Sequence, residues 1–189
     1  MKMTHDTKLG IGLATGMFYH APAGTALPSY PGASLAADWV EVGDVTQDGI
    51  TLALNKTTEL LKNWANVVKR VLLTDHSETI QAPIMDTTEE ALKTVVGKDN
   101  VSVTPANTSH GELVTVNLSS SSLPEPEAFL FLMKDDDDLI AIGCKYGQIT
   151  AVDNVAFQPG GAITWTPTIT AMEDGFKLIL DDGQVESES

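Results

Sequence analysis

Gly49-Ile50-Thr51-Leu52-Ala53-Leu54-Asn55 puts an aliphatic side chain at every second position from Ile50 to Leu54. Successive side chains of a strand point to opposite faces, so this spacing predicts a strand with one apolar face. Ile50, Leu52 and Leu54 are expected to face the core, and Thr51, Ala53 and Asn55 to face away from it. Upstream, Trp39, Val40 and Val42 run into the break at Gly43, and Asp48-Gly49 turns the chain into the strand. Downstream, residues 56–66 are polar around Leu60, Leu61 and Trp64, which predicts a helical turn or a long loop between two strands. Residues 67–74 are β-branched and apolar around Lys69 and Arg70. Residues 78–85 form another extended stretch, which Pro83 marks as an edge or a break.

One helix is predicted, over 88–96. Thr87 is the expected cap, with Glu90 three residues on at the spacing of a capping box. Glu89 and Glu90 suit the positive end of the helix dipole, and Gly97 supplies the stop. The rest of the chain is a series of short β-type runs at 101–103, 113–118, 129–133, 139–145, 149–152, 163–172 and 176–180. Pro, Gly, Asn, Asp and Ser separate them, which predicts a mainly β chain folded as a sandwich or barrel. Residues 1–36, rich in Gly, Ala, Pro and Ser, read as an extended N-terminal arm with one strand at 11–19. The sandwich domain is expected over 37–180, with an acidic, frayed tail at 181–189.

Composition narrows the function. The chain has 189 residues, 26 acidic against 11 basic, and a formal charge of −15. Residues 1–104 carry −4 and residues 105–189 carry −11. Nucleic-acid binders carry basic patches, and only one arginine, Arg70, is present here. The single cysteine, Cys144, excludes an intrachain disulfide and Cys-rich zinc frameworks. It is read as a small buried hydrophobe. The apolar run at 9–19 is interrupted by Gly10, Gly12, Thr15 and Gly16, against a secretory signal. No stretch approaches the roughly 20 apolar residues that span a bilayer.

Motifs for chemistry are sparse. Asp135-Asp136-Asp137-Asp138 lies between two strand-like runs. It lacks the ligand spacing of an EF-hand and reads as an acidic hairpin tip that discourages edge association. His5, His20, His76 and His110 stand at no metal-ligand spacing from one another. No Gly-x-Ser-x-Gly elbow or phosphate-binding glycine motif is present. With no nucleophile, base and oxyanion donor together, the chain reads as a cofactor-free non-enzyme. Trp64 reads equally as a core anchor or as an interface residue on a projecting loop.

Three ordered features carry a family resemblance. The first is Met17-Phe18-Tyr19-His20-Ala21-Pro22-Ala23-Gly24-Thr25-Ala26-Leu27-Pro28. The second is Trp39-Val40-Glu41-Val42-Gly43-Asp44-Val45-Thr46-Gln47-Asp48-Gly49-Ile50. The third is the loop Asn63-Trp64-Ala65, followed by the short Glu-rich helix and its glycine. Over most of 11–180 the chain resembles the major tail proteins, or tail tube proteins, of long-tailed non-contractile bacteriophages, especially those of actinobacterial hosts. The resemblance implies a β-sandwich tail-tube fold with one flanking helix, an extended N-terminal arm and a long inter-strand loop. It implies hexameric rings stacked into a tube that DNA crosses without specific binding. It also implies partners such as tape measure and tail terminator proteins, no membrane, assembly in the host cytoplasm and residence in the virion tail.

On that reading Pro22, Gly24, Leu27, Pro28, Leu60 and Trp64 are candidate intersubunit or inter-ring contacts, with 56–66 as the inter-ring loop. Thr51, Ala53 and Asn55 are candidate channel-facing residues, and the Asp135–Asp138 tip belongs at a ring or channel edge. Four strands from each of six copies give a barrel about 50 Å across at the backbone, with about 40 Å left inside the side chains. An acidic wall would repel phosphates. The alternative is a secreted or surface β-sandwich binding module for carbohydrate or calcium. It requires an exposed aromatic platform, and the chain has only three Trp and three Tyr.

Overall fold

The computed structural model describes residues 10–13, 17–119, 121–135 and 138–182. In chain order its elements are β1 (Ile11–Gly12), β2 (Phe18–Pro22), β3 (Val40–Gly43), β4 (Thr51–Lys62), β5 (Val68–Gln81) and α1 (Glu89–Val96). After a 3-10 turn at Lys98–Asn100 come β6 (Val101–Thr104), β7 (Leu113–Val116), β8 (Glu127–Asp135), β9 (Asp138–Val152), β10 (Pro167–Ala171) and β11 (Lys177–Asp181). The mainly β chain with one flanking helix is the class that the alternation of residues predicts.

The main antiparallel sheet runs β3-β2-β8-β9-β10-β5-β4. The short β1 adds to β8 ahead of β2, and β11 adds to β9 beside β10. The path then returns on itself. Just past β3 and β5, the Thr46 N–H donates to the Pro83 carbonyl at 2.8 Å, and the Met85 N–H to the Asp44 carbonyl at 3.0 Å. Ile84 exchanges hydrogen bonds with Trp165 at 2.7 and 2.8 Å. These bonds join the β3 end of the path to the segment that follows β5, so most strands of the body have partners on both edges.

The interior is built on aromatic rings. Phe18 stacks on Phe131 with centroids 4.4 Å apart and lies 6.2 Å from Phe129. Ile80, Ile84, Ile142, Ile149 and Ile169 surround them, and α1 closes this layer with Ala91, Leu92 and Val95. On the opposite face of the sheet, Leu130, Leu132 and Ala141 are covered by Trp39, Leu27 and Leu35 from the segment between β2 and β3. Residues 128–132 of β8 are therefore buried on both faces, which explains their unbroken apolar run.

Several expectations are corrected. The strand expected at 11–19 is divided between β1 and β2, and β2 belongs to the body instead of crossing its surface, with Phe18 fully buried between β3 and β8. The runs at 139–145 and 149–152 belong to the single strand β9. Gly147 is not a separator: a Cβ there would come within 2.8 Å of the Phe129 ring, so glycine is required by packing inside a strand. The helix cap is Thr88, whose Oγ1 accepts from the Ala91 N–H at 3.2 Å. Thr87 is taken by Trp165, whose Nε1–H donates to its hydroxyl at 3.2 Å. Glu90 pairs with Lys93 at 3.2 Å instead of closing a capping box. Gly97 does end the helix, at a φ of 97°. Most of 56–66 is neither helical turn nor loop: β4 runs on to Lys62. Asp135 pairs with Asp138 at the end of the β8–β9 hairpin, whereas Asp136, Asp137 and the tail from 183 lie outside the described residues.

Phe18→Ala should cost about 3–5 kcal/mol, the usual penalty for emptying a buried aromatic site. Urea denaturation followed by tryptophan fluorescence measures it. Deletion of residues 1–36 removes β2 and should leave a chain without a cooperative unfolding transition.

Candidate assembly surface

The β4–β5 hairpin is longer than the body that carries it. β10 flanks β5 only through the pairs Thr168–Gln81, Ile169–Ile80 and Thr170–Thr79. From Leu54 to Lys62 the hairpin continues for nine residues, roughly 30 Å, as a two-stranded ribbon. Residues directly opposite in an antiparallel ladder share a face, so the register sorts the side chains. One face carries Leu52, Leu54, Lys56, Thr58, Leu60 and Lys62, with Ile80, Glu78, His76, Leu73, Val71 and Val68 opposite them. The other carries Thr51, Ala53, Asn55, Thr57, Glu59 and Leu61, with Gln81, Thr79, Ser77, Asp75, Leu72 and Arg70 opposite. Single extra residues, Thr74 and Lys69, sit in the two register shifts of β5 and keep this sorting in phase.

The first face continues from the core, because Ile80 is fully buried in the aromatic interior. Beyond Glu78 its aliphatic side chains lie exposed among the described residues. Leu54 is 61% exposed, Leu73 58% and Val71 57%. The expectation that Leu52 and Leu54 lie in the subunit core is thus corrected: their phase is as read, but both are exposed. Glu78 is engaged by the body, accepting from the Phe176 N–H at 2.8 Å.

The second face is polar and extends onto the body. Gln81 Nε2–H donates to the Thr168 hydroxyl at 3.3 Å, and the hydroxyls of Thr150 and Thr170 are 2.8 Å apart. Thr51, Ala53, Asn55, Ser77, Thr79, Gln81, Thr168, Thr170 and Thr150 therefore make one face of hydroxyl, amide and methyl groups. Thr51 and Asn55 are exposed, and Ala53 is half-buried. The residues on β5, β9 and β10 were missed in the sequence, although Thr79-Ile80-Gln81 and Thr168-Ile169-Thr170 alternate as clearly as Ile50 to Leu54.

The predicted contact residues divide into two groups. Leu60 and Trp64 lie on the projecting hairpin, and Trp64 is fully exposed. The core alternative for Trp64 is thereby corrected. The other four lie on the body, with Pro22 and Gly24 exposed. Pro22 ends β2 opposite Glu127, and the Gly24 N–H donates to the Lys145 carbonyl at 2.8 Å. Leu27 packs beside Gly143, and Pro28 is half-buried.

The remaining reactive groups are held in the body. His20 Nδ1 lies 3.0 Å from a Glu127 carboxylate oxygen. His110 sits in a turn with Asn107, and His5 lies outside the described residues. Cys144 is completely buried against Phe129, and burial pushes its thiol up to about 12. Among the described residues no three His, Cys, Asp or Glu side chains are grouped to hold a metal ion. None of their helices is long and apolar enough to cross a membrane.

A wrapped body with a half-covered hairpin is the form of a structural subunit, whose surface chemistry is contact with other chains. The family follows from comparison: a model of the phage tail tube proteins matches residues 3–181, and the chain belongs to that family. It is a structural component of a phage tail. Among solved structures, the cryo-EM structure of the anti-feeding prophage cap, described as its tube terminating cap, is similar at 11% identity and a TM-score of 0.47. The match covers 94% of this chain and 98% of that one. No curated protein matches the chain.

Cys144 should resist a neutral disulfide reagent at pH 8 in the folded chain and react fully once urea unfolds it. Absorbance of the released thiolate measures both. Fast stoichiometric reaction of the folded protein would contradict the burial.

Proposed function

We propose that six copies close into a ring and that rings stack into the hollow tube of the tail, through which DNA passes during ejection. The copy number and the stacking rest on the family resemblance. The observation that carries the reading is the hairpin with one apolar face uncovered and the other polar. A two-stranded ribbon is marginal alone in water, and a further strand with an apolar cover stabilises it. A neighbouring copy supplies both. A head-to-tail contact that closes by rotation gives a ring and uses the same two patches on every copy. Four strands per copy are available as the consecutive neighbours β4, β5, β10 and β9.

The polar face then lines the bore, with Thr51, Ala53 and Asn55 at its centre. On the hairpin this face carries Glu59, Asp75 and Arg70, a net −1 per copy. The proposed channel is therefore weakly acidic, and most of its wall is neutral hydroxyl and amide. Such a wall offers phosphates no array of cations and gives little counterion release, so DNA slides without adhering. The tape measure and tail terminator are the expected further partners, and assembly takes place in the host cytoplasm.

Purified protein examined by negative-stain microscopy and size-exclusion chromatography should form rings or tubes. The double variant Leu54→Ser, Leu73→Ser should remain monomeric with a melting temperature within about 2 °C of the wild type, because exposed positions contribute little to monomer stability. Tubes of normal diameter from this variant would overturn the role of the hairpin's apolar face.

A further inference from the structure

The outer end of the hairpin has a charge opposite to that of the rest of the molecule. Lys62-Asn63-Trp64-Ala65-Asn66-Val67-Val68-Lys69-Arg70 holds three of the 11 basic residues and none of the 26 acidic ones. The segment carries +3, so the remainder of the chain carries −18. No Lys or Arg occurs anywhere from residue 9 to residue 55, a stretch that includes Asp38, Glu41, Asp44 and Asp48. Among the described residues no ion pair joins Lys62, Lys69 or Arg70 to a carboxylate of their own chain.

The end is tied into a defined turn. The Asn63 N–H donates to the Val67 carbonyl at 3.0 Å, and the Val67 N–H returns to Asn63 Oδ1 at 2.9 Å. The Asn66 N–H donates to the Asn63 carbonyl at 2.9 Å, with Asn66 at a φ of 59°, a conformation asparagine tolerates. Lys62 lies on the apolar face, Arg70 on the polar face, and Lys69 is the extra residue of a register shift. Trp64 and Val67 stand between Lys62 and Lys69 in the sequence, and both are exposed. The tip thus presents cations on both faces of the ribbon next to an exposed indole, roughly 30 Å from the body.

We infer that this cationic tip docks on the acidic body of a second copy of the chain, so that its Lys and Arg side chains supply the attraction that offsets repulsion between subunits of charge −15. The inference rests on the polymerisation proposed above and deepens it. Apolar contact along the hairpin supplies strength, and the tip supplies long-range attraction and register. A second copy suits the tip better than nucleic acid does. The acidic surface is present at the same concentration as the tip, and three cations per copy offer phosphates few contacts.

The test uses the full chain. Wild-type assembly, followed by light scattering and sedimentation, should weaken as sodium chloride rises from 50 to 500 mM. The variant Lys69→Glu, Arg70→Glu should stay folded, by circular dichroism, and need at least tenfold more protein to assemble at 50 mM salt. The swap Lys69→Arg, Arg70→Lys should assemble as the wild type does. If wild-type protein assembles but the charge reversal assembles equally well with the same salt dependence, the tip has no electrostatic role and the inference falls. If instead the wild type retards a 30-base-pair duplex in a gel, the reversal abolishes this and assembly is unchanged, the tip binds DNA and the inference also falls. If the wild type forms no assembly at any salt, the polymerisation reading fails first.

Discussion

Beyond Ala53 and Thr79 the β4–β5 ladder has no third strand among the described residues, and one of its two faces is largely aliphatic. Everything else about the chain follows from how that debt in water is met. The main sheet of the body is better covered, since it wraps around a stack of phenylalanines and is closed by α1, although the separate two-stranded β6–β7 sheet also leaves Val103, Leu113 and Val114 exposed. What stays open is a ribbon with free edges and a bare Leu and Val face. An open edge of this kind invites any strand to pair, and the charges at Lys56, Glu59, Lys62 and Asp75 limit which strands do so. On the reading proposed above, recognition would rest on shape, register and charge spread over this surface.

The sequence revealed phase better than cover. Alternation from Ile50 to Leu54 assigns each side chain to its face, but it cannot say whether the core reaches that far, because exposed and buried aliphatic residues have the same spelling. Residues 56–59 hid a strand, since Lys-Thr-Thr-Glu lacks an apolar side chain at every second position. Cross-strand pairing with β5 holds it nonetheless. The start of β2 fell within the strand expected at 11–19, but its place in the core was hidden: Gly and Pro crowd both sides of Phe18, whose burial depends on Phe131 more than 100 residues away. The one-residue error at the helix cap has a similar cause. Thr87 and Thr88 are equivalent in the sequence, and only the indole of Trp165 decides which hydroxyl is free to cap.

Charge was legible as a total and misleading as a map. A chain of −15 suggests acid everywhere, yet the hairpin from Thr51 to Gln81 is slightly basic, and the polar face beside it is nearly neutral. The carboxylates are concentrated on the body. An electrostatic account of the tail must therefore treat hairpin and body as two surfaces of opposite character. The Asp135–Asp138 hairpin end belongs to the second of these.

The thiol of Cys144 has a consequence for a structure made of many copies. Each subunit brings one thiol, and in every subunit it is enclosed against Phe129, protonated and out of reach. Oxidising surroundings therefore find no partner with which to form mixed disulfides, and neighbouring chains acquire no accidental covalent links. In the tube proposed above, subunit order would therefore be set without disulfide links between copies.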